Sequence, residues 1–151
     1  MSRNHTEVER SGKWLFDFTK LMQIGQKIDP KNPVVPVVVQ DARTKDVLIC
    51  AYANEEAVMY SLEHKIAAFW STSRNELWIK GKSSGDVLNL IEIRVNCDQN
   101  SLLYLVEPVQ AGACHVKDGS GQTMPSCYYR RVIYNPESKS LGLEPLSNIK
   151  L

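Results

Sequence analysis

The sequence predicts an α+β fold: mainly antiparallel strands with one or two helices, in a compact single domain. Three observations lead there. Short β-branched and apolar runs separated by turn-forming residues recur through residues 34–134. Only two stretches carry the 3.6-residue apolar period of an amphipathic helix. The length, 151 residues with 43% hydrophobic and 23% charged side chains, suits one buried core and no disordered majority. We divide the chain into an N-terminal helix and linker (1–33), a main domain (34–134) and a C-terminal tail (135–151).

In chain order, Trp14, Leu15, Phe18, Leu21 and Met22 recur at helical spacing between Ser11 and about Ile24, so an amphipathic helix covering the core or a subunit interface is expected. Two prolines in Lys27 to Pro33 mark a linker. Val34 to Gln40 and Val47 to Tyr52, joined by the polar Asp41 to Asp46, read as an antiparallel hairpin. Cys50, inside the second run, reads as a small buried thiol. Asn54 can cap a helix with Glu55 and Glu56 in its first turn and Met59, Leu62 and Ile66 on its apolar face, ending near His64. Strands are expected at 67–72, 76–80, 87–95, 102–107 and 128–134. In the strand 87–95, Val87, Ile91, Ile93 and Val95 share one face and Glu92 and Arg94 the other. The tail mixes Pro, Ser, Gly and Asn and reads as loosely attached.

A net charge of +1 calls for no nucleic acid and no acidic membrane. The polar start leads into no apolar stretch of signal or spanning length, so a cytoplasmic protein is expected. In a reducing compartment the four cysteines are thiols or metal ligands before they are disulfide halves.

Cys97, Cys114 and Cys127 supply three soft ligands, the number found where zinc keeps a fourth position for water. Structural thiols, a fourth ligand from His115, or thiol catalysis by Cys114 with His115 as base are the alternatives. His115, next to Cys114, is suited to act as general acid or base beside a metal. Asn96, Asp98 and Asn100 alternate around Cys97, so three oxygen donors share one face of an extended segment; they suit Mg²⁺, or simply an Asx-rich turn. Residues 69–85 combine hydroxyls, cations and glycine turns, the equipment for gripping phosphate, with Trp70 and Trp78 either core or base-stacking platforms.

These elements together, Val39-Gln40-Asp41, the run 48–57, Trp70 to Gly85, Asn96-Cys97-Asp98, Cys114-His115 and Ser126 to Arg130, resemble the phosphoribosyl-AMP cyclohydrolase family in order and spacing across about residues 34–131. The resemblance implies an interlocked homodimer with active sites shared between subunits, each zinc held by Cys97 of one chain and Cys114 and Cys127 of the other. It implies His115 as the catalytic acid or base and Asp98 as a Mg²⁺ ligand. Ser71, Ser73, Arg74, Lys80, Ser83 and Ser84 become candidates for holding a small-molecule nucleotide. The reaction implied is attack of zinc-bound hydroxide on C6 of an N1-phosphoribosylated adenine and cleavage of N1–C6, in histidine biosynthesis. A diverged homologue acting on another purine-like nucleotide, or a zinc-stabilised nucleotide-binding dimer, are the competing readings.

Three departures from the family pattern stand out. Asn96 and Asn100 occupy positions where the family usually has carboxylates, which removes two negative charges from a Mg²⁺ site. The segment between Cys114 and Cys127 is longer than usual, so a mobile or substrate-altering loop is expected there. Asp86 adds a negative charge near the proposed phosphate grip.

Overall fold

The computed structural model of the chain describes residues 5–110 and 112–151; the first four residues of the segment 1–33 lie outside it. The two β-branched runs pair as expected. β1 (Val35–Asp41) and β2 (Val47–Ala53) form an antiparallel hairpin, whose turn is closed by the Asp41 carboxylate accepting from the Arg43 and Thr44 amides. β5 (Leu88–Val95) and β6 (Leu102–Pro108) form a second antiparallel pair, and β6 lies parallel to β1 with Val37 beside Leu102 and Asp41 beside Val106. The four-stranded sheet therefore runs β2-β1-β6-β5. Two-stranded antiparallel ribbons β3–β4 (Ala68–Ser71, Glu76–Ile79) and β7–β8 (Arg130–Asn135, Ser140–Pro145) complete the strands. With three helices among the described residues, α1 (His5–Arg10), α2 (Lys20–Lys27) and α3 (Glu55–His64), the fold is α+β and mainly antiparallel. Among the described residues no helix is long and apolar enough to cross a membrane.

The core gathers Val37, Val39, Ala51, Phe69, Leu88, Tyr104 and Val106 beneath α3. The Asn54 side chain caps that helix by accepting from the Ala57 amide at 3.0 Å, and Lys65 ends it in the left-handed conformation at φ 58°. Its buried face differs from expectation. Ala57 and Ser61 are buried, while Met59 and Leu62 lie exposed. The reason is close approach: small side chains let α3 settle on β3, where the Ser61 hydroxyl donates to Ala57 O at 2.7 Å and accepts from Ala68 N at 2.9 Å.

Four other expectations are corrected. Residues 11–19 are not helical; Gly12 and Lys13 run alongside β8, with Leu143 N donating to Gly12 O at 2.8 Å. Trp14, Phe16 and Phe18 also fit a period of two, and their rings pack successively at 5.3 and 4.9 Å along an extended segment until the Asp17–Thr19 turn starts α2. α2 buries none of its residues. In β5, a bulge at Ile91 lets Leu88 and Leu90 face inward before it and Ile93 after it, and turns Ile91 out, while Val95 is exposed at the strand's end. Cys50 is exposed, because the inward positions of β2 are Ile49, Ala51 and Ala53. The stretch 135–151 is attached: β8 pairs with β7, and Ile149 and Leu151 pack on a second small core of Cys114, Val116, Met124 and Tyr129.

Candidate active site

Two of the three candidate zinc thiols meet in the single chain. The segment between them folds back on itself: Cys114 N donates to Met124 O at 3.1 Å, Met124 N to Val116 O at 2.9 Å, and Asp118 N to Gln122 O at 2.7 Å. The Asp118 carboxylate closes the turn by accepting from the Ser120 and Gln122 amides. The long loop is thus a paired hairpin, held to the body where Cys127 N donates to Leu48 O and the Ser126 hydroxyl to Val47 O. Folding back brings Cys127 within hydrogen-bonding reach of Cys114.

The electrostatics of that pair suit a metal ligand. The hydrogen bond from Cys127, assisted by the Val116 amide and the His115 and Lys80 charges, holds the Cys114 thiol down to about 6 against desolvation. Cys127, keeping the shared proton and facing the Cys114 thiolate, is pushed up. The buried Lys80, at the end of β4, is the cation common to both. Lys80 therefore sits with the thiols and apart from the hydroxyl-rich turn.

Cys97 is elsewhere. It is exposed on the turn between β5 and β6, and among the described residues no three His, Cys, Asp or Glu side chains of one chain converge as a metal site. In the same turn Asn96 and Asn100 bond to each other, Nδ2 to Oδ1 at 2.6 Å, and the Asn96 side-chain Oδ1 accepts from the Asn100 and Ser101 backbone amides, both at 2.9 Å. Both amide oxygens are engaged within the turn. Asp98 is exposed beside them.

Ser71, Ser73 and Arg74 form the β3–β4 turn. The two hydroxyls stand 3.3 Å apart, the Arg74 amide donates to Ser71, and the Arg74 guanidinium pairs loosely with Glu76 at 3.5 Å. With Cys50, Tyr52, Trp70 and Trp78 they line a groove of about 320 Å³. Trp70 is mostly buried, with its Nε1 donating to Asn75, and Trp78 packs on the core, so the indoles form the groove's wall from the core side. The Asn75 amide in turn donates to Asp29 at 3.1 Å, which fastens the linker to this turn. Ser83 and Ser84 are exposed on the next turn, where Ser84 accepts from the Asp86 amide and Gly81 holds φ +80°. Asp86 itself is buried.

His115 projects from the hairpin with its side chain 79% exposed, and its Nε2 lies 2.9 Å from the Glu9 carboxylate. The sequence does not single out Glu9. Its partner is 106 residues away, and one of two glutamates in a polar N-terminal segment carries no local signal.

Comparison with known proteins follows the same residues. The family model described as phosphoribosyl-AMP cyclohydrolase matches residues 49–129. The phosphoribosyl-AMP cyclohydrolase of Archaeoglobus fulgidus is 48% identical over 99 residues, covering 66% of this chain and 85% of that protein. That of Methanosarcina acetivorans is 44% identical over 102 residues, covering 68% and 79%. The histidine biosynthesis bifunctional protein of Aquifex aeolicus is 38% identical over 117 residues, covering 78% of this chain and 54% of its own length.

Proposed function

Because the chain belongs to the phosphoribosyl-AMP cyclohydrolase family, we propose that it hydrolyses the N1–C6 bond of the adenine ring in 1-(5-phosphoribosyl)-AMP, a step of histidine biosynthesis. One arrangement carries the reading: the Cys114–Cys127 thiol pair with Lys80 as its common cation and His115 beside it.

The donor set fits zinc. Two thiols come from one chain, and the exposed Cys97 is available to a second chain as the third ligand, so the site is completed in a homodimer. The exposed Ile91, Val95, Val132 and Tyr134 offer the apolar surface such a dimer covers. When bound, zinc supplies Lewis acidity, which makes water acidic enough to serve as a nucleophile near neutral pH. Magnesium does not fit the turn around Cys97, since Asn96 and Asn100 satisfy each other and leave one carboxylate, Asp98. The cytoplasm, where free thiols persist, is the compartment proposed.

The reaction adds water across C6 and breaks C6–N1. The oxygen becomes the carboxamide carbonyl, the exocyclic nitrogen stays as its amide, and N1 departs carrying a proton. His115 is the group that moves that proton, taking it from water and returning it to N1. Ser71, Ser73 and Arg74, with Ser83 and Ser84 on the neighbouring turn, bind the phosphates. The Lys80 charge favours the thiolate form of Cys114 and of Cys127.

The test is an absorbance assay of zinc-loaded protein with phosphoribosyl-AMP. Turnover is expected without added Mg²⁺, and His115→Ala lowers kcat by roughly 10²–10⁴-fold while zinc content stays unchanged. No turnover by the folded, zinc-loaded wild type, or full turnover by the variant, overturns the reading.

A further inference from the structure

We propose that Glu9, in the leader outside the family match, is a positioning residue that orients His115 and leaves Nδ1 as the nitrogen that handles the proton. The inference rests on the assignment of His115 above. A carboxylate only accepts, so the 2.9 Å contact to Nε2 makes that nitrogen the donor and fixes the ring's tautomer and tilt. In the neutral ring the other nitrogen, Nδ1, then keeps its lone pair. The contact leaves the side chain 79% exposed, so it steadies the imidazole without covering it, and autoinhibition is the poorer reading.

Glu9 is itself held. The Tyr129 hydroxyl donates to Glu9 O at 2.7 Å, and the Arg130 guanidinium donates to Val8 O at 2.8 Å and Ser11 O at 3.0 Å. Arg130 thereby satisfies carbonyls at the C-terminal end of α1, while resting 5.1 Å over the Tyr129 ring. Arg10 reaches across to Lys117 O at 2.8 Å, two residues past His115. The N-terminal segment is thus tied to the thiol hairpin itself at Lys117 and to the segment that follows it at Tyr129 and Arg130, and the one carboxylate it places at 2.9 Å from His115 is Glu9. Supporting groups of this kind at metal sites change activity by roughly 10–100-fold when removed.

Two measurements on the zinc-loaded full-length chain test this. Glu9→Ala lowers kcat by roughly 10–100-fold with KM and zinc content unchanged, and Glu9→Gln, whose amide oxygen can accept the same hydrogen bond, retains most of the wild-type kcat. In ¹⁵N-histidine spectra under mildly alkaline conditions, the wild-type signal absent from His115→Ala shows Nε2 protonated and Nδ1 bare. A kcat unchanged in Glu9→Ala, a loss confined to KM or zinc content, or a proton on Nδ1 overturns the proposal. Wild-type protein without turnover sinks the functional reading instead, and the nitrogen spectrum still decides the ring's orientation by itself.

Discussion

Gly81 shows how much of the site hangs on single backbone positions. It follows the buried Lys80 and holds φ +80°, and a Cβ there would press into the backbone of Asp86 and Val87. Gly81→Ala must therefore shift both the conformation and the turn that sets Lys80 beside the thiols. We expect a loss of stability of roughly 1–3 kcal/mol, read by thermal unfolding, together with weaker zinc retention. At this scale the sequence is informative where chemistry is local. The adjacency of Cys114 and His115 and the hydroxyl-rich turn at 71–74 are visible as motifs, and the structure places the latter in one groove. It fails where burial depends on a neighbour. Cys50 sits in an apolar run yet faces outward, because strand alternation, which the run hides, decides its side. Glu9 fails differently, since nothing within several residues of it hints at a histidine 106 positions on.

Among the elements, α3 separates what a cap encodes from what a face encodes. Asn54 followed by two glutamates marks the helix start in sequence, and the 3.0 Å bond to the Ala57 amide is its physical expression. Asn54→Ala leaves that amide without a side-chain partner, with an expected cost of about 1 kcal/mol and a drop in Tm of about 2–4 °C, while kcat is unchanged. The buried face is harder to read. Hydrophobic weight favours Met59 and Leu62, but close packing on β3 selects Ala57 and Ser61. Similarly, Trp14 and Phe18 satisfy helical and extended spacing alike, and pairing with β8, which lies more than a hundred residues away in sequence, settles the choice. The bulge at Ile91 inverts the second half of a strand whose pattern looks regular.

For the whole molecule, one chain holds two thiols together and a third apart. Mixing two inactive variants tests whether the parts meet between chains. Cys97→Ser and Cys127→Ser, unfolded, combined and refolded, form heterodimers in which one of two sites has every thiol intact, and random pairing restores about a quarter of wild-type turnover. No recovery beyond either variant alone means that the three thiols do not meet across a dimer. Cys97, Cys114 and Cys127 stand out in the sequence as a candidate set because cysteines are rare in it, whereas the separation of Cys97 from the others is a matter of topology and appears only once β5 and β6 are placed.

The contacts of α1 also set an order in time. The carbonyls of Val8 and Glu9 find their donors in Arg130 and Tyr129, 122 and 120 residues later. A ribosome moving from the first residue to the last makes the glutamate long before anything exists to hold it. A nascent chain halted short of Tyr129 carries His115 and the Lys117 carbonyl that Arg10 reaches, but still lacks the two donors that hold the carbonyls of Val8 and Glu9. Activity should accordingly appear late and abruptly in a series of progressively longer stalled chains, governed by the emergence of the segment that follows Cys127.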